Sequence, residues 1–135
     1  MEIKKVYPES MPLPKGHYSP AVVHNGIVYV SGQLPINEQG EPQTNSFEEQ
    51  VRCCMKNIET ILTASGSDLQ HMLKVNVFLS NIQNWPAFNS IYAEIMGDHR
   101  PARIVVPCNQ LNYGCDIEID CIASITDHKA LKKHL

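Results

Sequence analysis

Two short apolar runs rich in β-branched residues, 21–24 and 27–31, lie early in the chain and predict a pair of strands. Asn25 and Gly26 separate the two segments. Both residue types tolerate positive φ, so Asn-Gly between β-branched runs is typical of a two-residue hairpin turn. Residues 1–14 hold several prolines and predict an irregular or sheet-edge segment. The chain therefore opens with an irregular stretch and then a hairpin.

Helical spacing of apolar residues follows in two places. The first predicted helix begins after Ser46, which can cap it, and ends before Gly66. Its apolar positions are Phe47, Val51, Cys54, Ile58, Ile61 and Leu62. The second begins after Asn84, carries Pro86 in its first turn and ends at Gly97. We predict that its inner stripe consists of Trp85, Phe88, Tyr92 and Ile95.

Three further segments have the residue pattern of β-strands. Residues 73–80 place Leu73, Val75, Val77 and Leu79 on one face, and residues 102–106 and 117–125 predict two more strands. This order predicts an α+β domain in which both helices pack on one face of a single mixed sheet. Apolar side chains such as Phe78 and Ile122 remain on the other face, and a subunit interface would cover them.

The bulk properties narrow the function classes. The 135 residues fit one domain, placed at residues 1–126, followed by a tail at 127–135 that is expected to be a short helix or disordered. A net charge of −3, with no basic run longer than a pair, argues against a broad nucleic-acid-binding face. No stretch suits a bilayer or a signal peptide. Five cysteines without framework spacing indicate reduced thiols and a cytoplasmic location.

Arg103 is the residue most informative about chemistry. It lies between Pro101 and a β-branched run, in a segment that looks buried on both faces, and a buried guanidinium needs a partner. Its planar fork suits a carboxylate. That carboxylate belongs either to a ligand or to Glu118 or Asp120 in a structural salt bridge, and the residues alone leave both open. Glu118 could orient a water or act as a general base, or simply face solvent.

No metal site and no cofactor are expected. The six histidines are scattered without ligand spacing, and the chain has neither a GxGxxG nor a GxxxxGK[ST] loop. Tyr18 precedes the first hairpin strand, where its hydroxyl could donate to a ligand or merely cover a core edge.

Seven short motifs in a fixed order cover nearly the whole chain, residues 5–124. They are Gly16-His17-Tyr18-Ser19, residues 29–35, residues 64–67, residues 74–79, Asn89-Ser90-Ile91-Tyr92, Pro101-Ala102-Arg103 and Ile117-Glu118-Ile119-Asp120. Each motif alone is weak, but their order and spacing together are specific. With them the chain resembles the RidA/YjgF family.

This resemblance implies a chorismate-mutase-like α+β fold with a mixed six-stranded sheet and two helices on one face. It also implies a homotrimer with a barrel-like core and clefts between subunits. The implied activity is hydrolysis of 2-iminobutanoate or 2-iminopropanoate to 2-oxo acids and ammonia, without a cofactor. The expected partner is a small 2-imino or 2-oxo acid, and neither nucleic acid nor membrane is expected.

The resemblance also assigns roles by position. Arg103 matches the arginine that grips the substrate carboxylate, and Glu118 matches the glutamate that positions the attacking water. Tyr18 and Asn89 match a tyrosine and an asparagine of the cleft, and Gly32 matches a backbone contact.

Two positions depart from the family pattern. Val105 stands where a cysteine is frequent, so only its backbone N–H could contact a carboxylate, and His17 stands where proline is common. The missing thiol keeps a second interpretation open, a non-catalytic regulator that binds small carboxylates. A third, ribonuclease or translation inhibitor, follows from older family names, and the acidic net charge argues against it.

Overall fold

The structure, a computed structural model, describes residues 2–132. Six strands form one sheet in the order β1-β2-β3-β6-β4-β5. Neighbouring strands are antiparallel except for the parallel pair β4 and β5, so the predicted mixed six-stranded sheet is confirmed. The strands are β1 (Lys4–Val6), β2 (Ala21–His24), β3 (Ile27–Gln33), β4 (Met72–Leu79), β5 (Ala102–Pro107) and β6 (Ile117–Ser124).

The predicted helices are present as α1 (Phe47–Ala64) and α2 (Trp85–Met96). Helix α1 packs against β3, β6 and α2, and one apolar core joins the helices to the inner face of the sheet. No helix among residues 2–132 has the length and apolar character needed to cross a membrane. The predicted α+β architecture is therefore confirmed for the described chain.

Local chemistry explains where these elements turn and end. Asn25 and Gly26 both have positive φ, 52° and 77°, as a two-residue hairpin turn requires. The Ser46 side chain caps α1 by accepting a hydrogen bond from the backbone N–H of Glu49 at 3.1 Å. Gly66, with φ of 80°, ends the same helix, and a Cβ there would collide with the carbonyl of Asp127.

The C-terminal tail docks onto this helix end. The backbone N–H groups of Thr126 and Asp127 donate to the carbonyl of Gly66 at 2.8 and 2.9 Å. A short helix, α3 (His128–Lys132), follows and buries Leu131 in the core. Of the two alternatives expected for the tail, a short helix or disorder, the structure has the helix at His128–Lys132, and residues 133–135 lie outside the described part.

Two predicted core positions are wrong. Leu73 is 48% exposed because the pairing of β4 with β6 shifts between Met72 and Lys74, and the shift puts Met72 in the core instead. Trp85 is 47% exposed at the first residue of α2. The buried positions of α2 are Phe88, Ile91, Tyr92 and Met96.

A buried glutamine ties α1 to the start of β6. The Oε1 atom of Gln50 accepts from the backbone N–H of Asp116 at 2.7 Å, and its Nε2 donates to the Asp116 carboxylate at 3.0 Å. Gln50 is only 1% exposed, so water cannot readily replace these bonds.

We expect Gln50→Leu to lower the free energy of unfolding by about 2–3 kcal/mol, because the Asp116 N–H and carboxylate lose partners in a half-buried position. Urea unfolding at fixed protein concentration measures this. Gln70→Leu is the matched control, since exposed Gln70 makes one bond, to the carbonyl of Met96 at 3.3 Å. Equal losses in both variants would contradict the proposed contribution of Gln50.

Candidate active site

Arg103 lies on the edge strand of the sheet, and the expectation that its segment is buried on both faces is wrong. Among residues 2–132, β5 pairs with β4 alone, and within the single chain Ile104 is 47% exposed while Arg103 is half-buried. A run of β-branched residues indicates that both faces of a strand are buried. It does not show whether the burying residues belong to the same chain or to another subunit.

The Arg103 guanidinium stacks on α2 instead of pairing with an acid. Its Cζ lies 5.6 Å from the ring centre of Phe88 and 5.2 Å from that of Tyr92. Among the described residues, no carboxylate lies within 4.0 Å of it. The alternative of a salt bridge to Glu118 or Asp120 is not formed, because β4 lies between β5 and β6, and Asp120 accepts from Asn76 at 2.7 Å.

A cleft of about 640 Å³ opens elsewhere on the chain, between the loop preceding β2 and the neighbouring parts of β3 and β6. Tyr18, Gly32 and Glu118 all line it, so three of the predicted site residues meet there. Ser31 and Tyr113 also line it.

Strand β3 fixes the position of Tyr18. The Ser31 hydroxyl donates to the carbonyl of Ser19 at 2.6 Å, and the Ser31 backbone N–H donates to the carbonyl of Pro20 at 2.9 Å. The loop is thus tied to β3 directly after Tyr18, whose ring is 54% exposed toward the cleft.

Gly32 leaves room for the Glu118 carboxylate. The pairing of β3 with β6 is irregular between Val30 and Gln33, and Gly32 lies inside that irregularity. A Cβ on Gly32 would be 2.8 Å from Oε2 of Glu118. The position of the Glu118 carboxylate therefore requires that residue 32 has no side chain. This requirement is separate from the contact between the Gly32 backbone and a ligand that the family resemblance implies.

The surroundings of Glu118 favour a proton-transfer role. Burial raises the pKa of the Glu118 carboxyl above its usual value, and the negative charge of Asp120, two residues along the strand, raises it further. A carboxylate with a raised pKa is a stronger base than an exposed glutamate, and this is the property that activation of a water requires.

The other two predicted residues lie on the elements that hold or contact Arg103, β5 and α2. Asn89 is exposed on α2, directly after Phe88. Val105 is on β5, two residues beyond Arg103, and its side chain packs against the core. The predicted residues thus form two groups, one around Glu118 and one around Arg103.

The sheet separates these two groups within one chain. Glu118 alternates with buried Ile117 and Ile119 and therefore points away from the helices, whereas Arg103 stacks on α2 on the helix side. The two residues are also far apart within the sheet. Phe78 of β4 pairs with Glu118 on one side and with Val106 on the other, and Arg103 lies three residues before Val106. Arg103 is therefore roughly 10 Å from Glu118 across the strands and roughly 10 Å from it along them. One small ligand cannot contact both groups of the same chain.

Some residues of the site carried no recognisable signal in the sequence. Phe88 and Tyr92 were expected to be core residues, and nothing in their spacing reveals an arginine stacked on them. Tyr113 adopts a positive φ of 62° before Gly114, which is uncommon for an aromatic residue and typical of constrained sites.

A family model described as Endoribonuclease L-PSP matches residues 8–125. The chain belongs to this family. The protein HMF1 of Saccharomyces cerevisiae is 35% identical to it over 88% of this chain and 92% of that relative.

Solved structures of the endoribonuclease L-PSP family share the fold. RidA from an Antarctic Psychrobacter matches with a TM-score of 0.85 and 29% identity, covering 90% of this chain and 99% of that one. TdcF from E. coli, solved with bound serine, matches with a TM-score of 0.84 and 26% identity, covering 91% and 99%. The predicted membership of the RidA/YjgF family and the predicted fold are therefore confirmed.

Proposed function

We propose that this endoribonuclease L-PSP family member is a deaminase that hydrolyses 2-imino acids of the 2-iminobutanoate and 2-iminopropanoate type. The observation that carries the proposal is Glu118, a half-buried carboxylate with a raised pKa that lines a cleft beside Gly32 and Tyr18. Arg103, a cation without a carboxylate partner among the described residues, supplies the complementary group. Together they suit a small substrate that is itself a carboxylate.

We propose further that the complete site forms between subunits of a homotrimer. The two groups of residues face opposite sides of the sheet, so the edge strand β5 of one subunit has to meet the Glu118 cleft of the next. Apolar side chains on and beside the uncovered face, including Tyr29 and Ile104, are 43% and 47% exposed in the single chain and suit burial by another subunit. A solution mass near three times 15.2 kDa would support this assembly.

In the proposed reaction, Arg103 binds the substrate carboxylate and holds the imine carbon beside Glu118. Glu118 takes a proton from water as the water oxygen attacks that carbon, and returns the proton to the amino group of the resulting carbinolamine. The C–N bond then breaks as the carbonyl forms, and the hydroxyl proton passes through Glu118 to the released ammonia. An iminium acid and water thus give a 2-oxo acid and an ammonium ion. Tyr18 and Asn89 would contact the substrate, with the backbones of Gly32 and Val105. Orientation supplies most of the acceleration, because a protonated imine carbon is already electrophilic.

A carboxylate-binding regulator is the second candidate. Val105 provides no thiol where the family often has one, and TdcF was solved with an amino acid bound. Such a protein would bind 2-oxobutanoate saturably without turnover. The two candidates share Arg103 and differ only in the role of Glu118.

The test follows release of 2-oxo acid from an imine generated in situ by an amino-acid oxidase. We expect the purified protein to accelerate release in proportion to its concentration and to saturate with substrate. Saturable binding of 2-oxobutanoate without acceleration would favour the regulator, and absence of both would reject the site. An RNA cleavage assay on the same preparation addresses the ribonuclease alternative.

Gly32→Ala is expected to lower kcat/KM by about 10- to 100-fold, because the new methyl group displaces the Glu118 carboxylate. The clash involves the far end of a flexible side chain, so thermal stability should change little. Gly97→Ala is the control for a lost glycine outside the cleft, since Gly97 follows α2 and a Cβ there meets nothing within 4 Å, although its φ of +64° costs some stability. An unchanged kcat/KM in Gly32→Ala would argue against the need for that space.

We also propose a cytoplasmic location. All five cysteines are free, and two of them, Cys53 and Cys108, are half-exposed, which a reducing compartment preserves. Fractionation of cells that produce the native chain tests this.

A further inference from the structure

The aromatic pair Phe88 and Tyr92 faces Arg103, a predicted site residue on the edge strand β5. The two rings are one helical turn apart on α2, with centres 5.2 Å apart and planes 30° from parallel. The Cζ atom of Arg103 lies over both rings, at 5.6 and 5.2 Å. An arginine on an edge strand would ordinarily sample many rotamers, and this contact limits that freedom.

The hydroxyl of Tyr92 supports a role for the ring. Tyr92 is 6% exposed, and its hydroxyl is fully buried without a hydrogen-bond partner in the described part of the chain. Burying an unpaired hydroxyl is unfavourable, so the hydroxyl does not account for the position of this side chain. The ring does, because its face lies against the guanidinium and against Phe88.

We propose that Phe88 and Tyr92 are positioning residues that hold the Arg103 guanidinium in the orientation needed to bind a substrate carboxylate. The Cζ atom lies over the faces of both rings, and no carboxylate among the described residues pairs with the guanidinium, so its N–H groups can bind a carboxylate bidentately. Preorganisation of this kind strengthens binding because less rotamer freedom is lost when the ligand arrives. This inference rests on the proposed role of Arg103 in the deaminase site.

Three variants test the pair through substrate affinity. Phe88→Leu and Tyr92→Leu keep apolar volume but remove the ring faces, and each should raise KM and the dissociation constant of 2-oxobutanoate about tenfold. Tyr92→Phe keeps the ring and should restore the affinity lost in Tyr92→Leu. Parent-like KM values in both leucine variants would overturn the inference.

A control separates positioning from simple loss of stability. Val28→Ala removes buried volume in β3, which is separated from β5 by β6 and β4, and should lower the melting temperature without raising KM. A rise in KM equal to that of the leucine variants would overturn the positioning role. If Phe88→Leu does not fold, the KM values of Tyr92→Leu and Tyr92→Phe test the positioning role, and equal KM values in these two variants would overturn it.

A structural measurement does not depend on activity. The chain has three arginines, Arg52, Arg100 and Arg103, so their Nε–H signals can be assigned by NMR with Arg103→Lys. Ring currents should shift the Arg103 signal upfield in the native protein, and Phe88→Leu should reduce that shift. If the native protein shows no turnover, the deaminase proposal fails, whereas an unshifted Arg103 signal refutes the aromatic contact itself.

Discussion

Arg103→Ala is expected to lower kcat/KM for a 2-imino acid by about 100- to 10,000-fold. Two charge-assisted hydrogen bonds to a carboxylate contribute about 1.5–3 kcal/mol each, and every 1.4 kcal/mol corresponds to a factor of ten. The guanidinium has no intrachain carboxylate within 4.0 Å in the described residues, so the whole of this interaction is available to a ligand. Initial rates over a range of imine concentrations measure the loss.

Two further variants define what the measurement means. Arg103→Lys keeps the charge but not the planar fork, and it should recover only a small part of the activity. Arg100→Ala removes an exposed arginine three residues earlier and should leave kcat/KM unchanged. Parent-like rates in Arg103→Ala would refute the carboxylate anchor.

The same substitution should leave the fold intact. Arg103 forms no salt bridge within the described chain, and its contacts are the faces of Phe88 and Tyr92. Loss of a partly exposed cation–π contact costs about 0.5–1 kcal/mol. A large drop in thermal stability together with the loss of activity would therefore indicate a structural role and not a binding role.

The elements of the fold were predictable wherever their signals are local. Asn25-Gly26 identifies the hairpin because few residues tolerate two positive φ values in succession, and Ser46 and Gly66 mark the ends of α1 through caps that involve adjacent residues. Leu73 was assigned to the wrong face, because the irregularity in the pairing of β4 with β6 depends on both strands. No pattern within residues 72–79 alone shows it.

The site was predictable only in part, for a related reason. Tyr18 and Glu118 were candidates from their residue types and positions, the family resemblance gave them roles and added Gly32, and the structure places all three in one cleft. The separation of Arg103 from Glu118 depends on the order of strands, with β4 between β5 and β6. A sequence motif carries no information on strand order, so the two residues read as neighbours when they lie on opposite faces of the sheet.

Glu118→Gln is expected to lower kcat by about 100- to 10,000-fold, the usual contribution of a general base. Glutamine keeps the size and the hydrogen-bonding reach of the side chain but cannot take a proton from water. Because Arg103 remains, 2-oxobutanoate should still bind with nearly its original affinity. A parent-like kcat would exclude Glu118 as the base, and a lost affinity would show that it binds the ligand instead.

The pH profile tests the same carboxylate in the unmodified protein. Glu118 acts as a base only when it is ionised. Burial is the larger cause that raises its pKa above the usual 4.5, and the negative charge of Asp120 is the smaller one. Activity should therefore increase with pH on the acid side, with a midpoint above 4.5. Asp120→Asn removes the neighbouring charge and should move that midpoint to lower pH, whereas Glu118→Gln should abolish the acid limb.

Mixing the two inactive variants decides whether the site is shared between subunits. In trimers assembled at random from equal amounts of Arg103→Ala and Glu118→Gln chains, each site would take Arg103 from one subunit and Glu118 from the next. Each contribution is intact in half of the cases, so about a quarter of the sites should be complete and active. If Arg103 and Glu118 of the same chain served one ligand, no mixed trimer would contain a complete site. Co-refolded mixtures should therefore show about a quarter of the parent rate, since the sheet keeps the two residues of one chain apart.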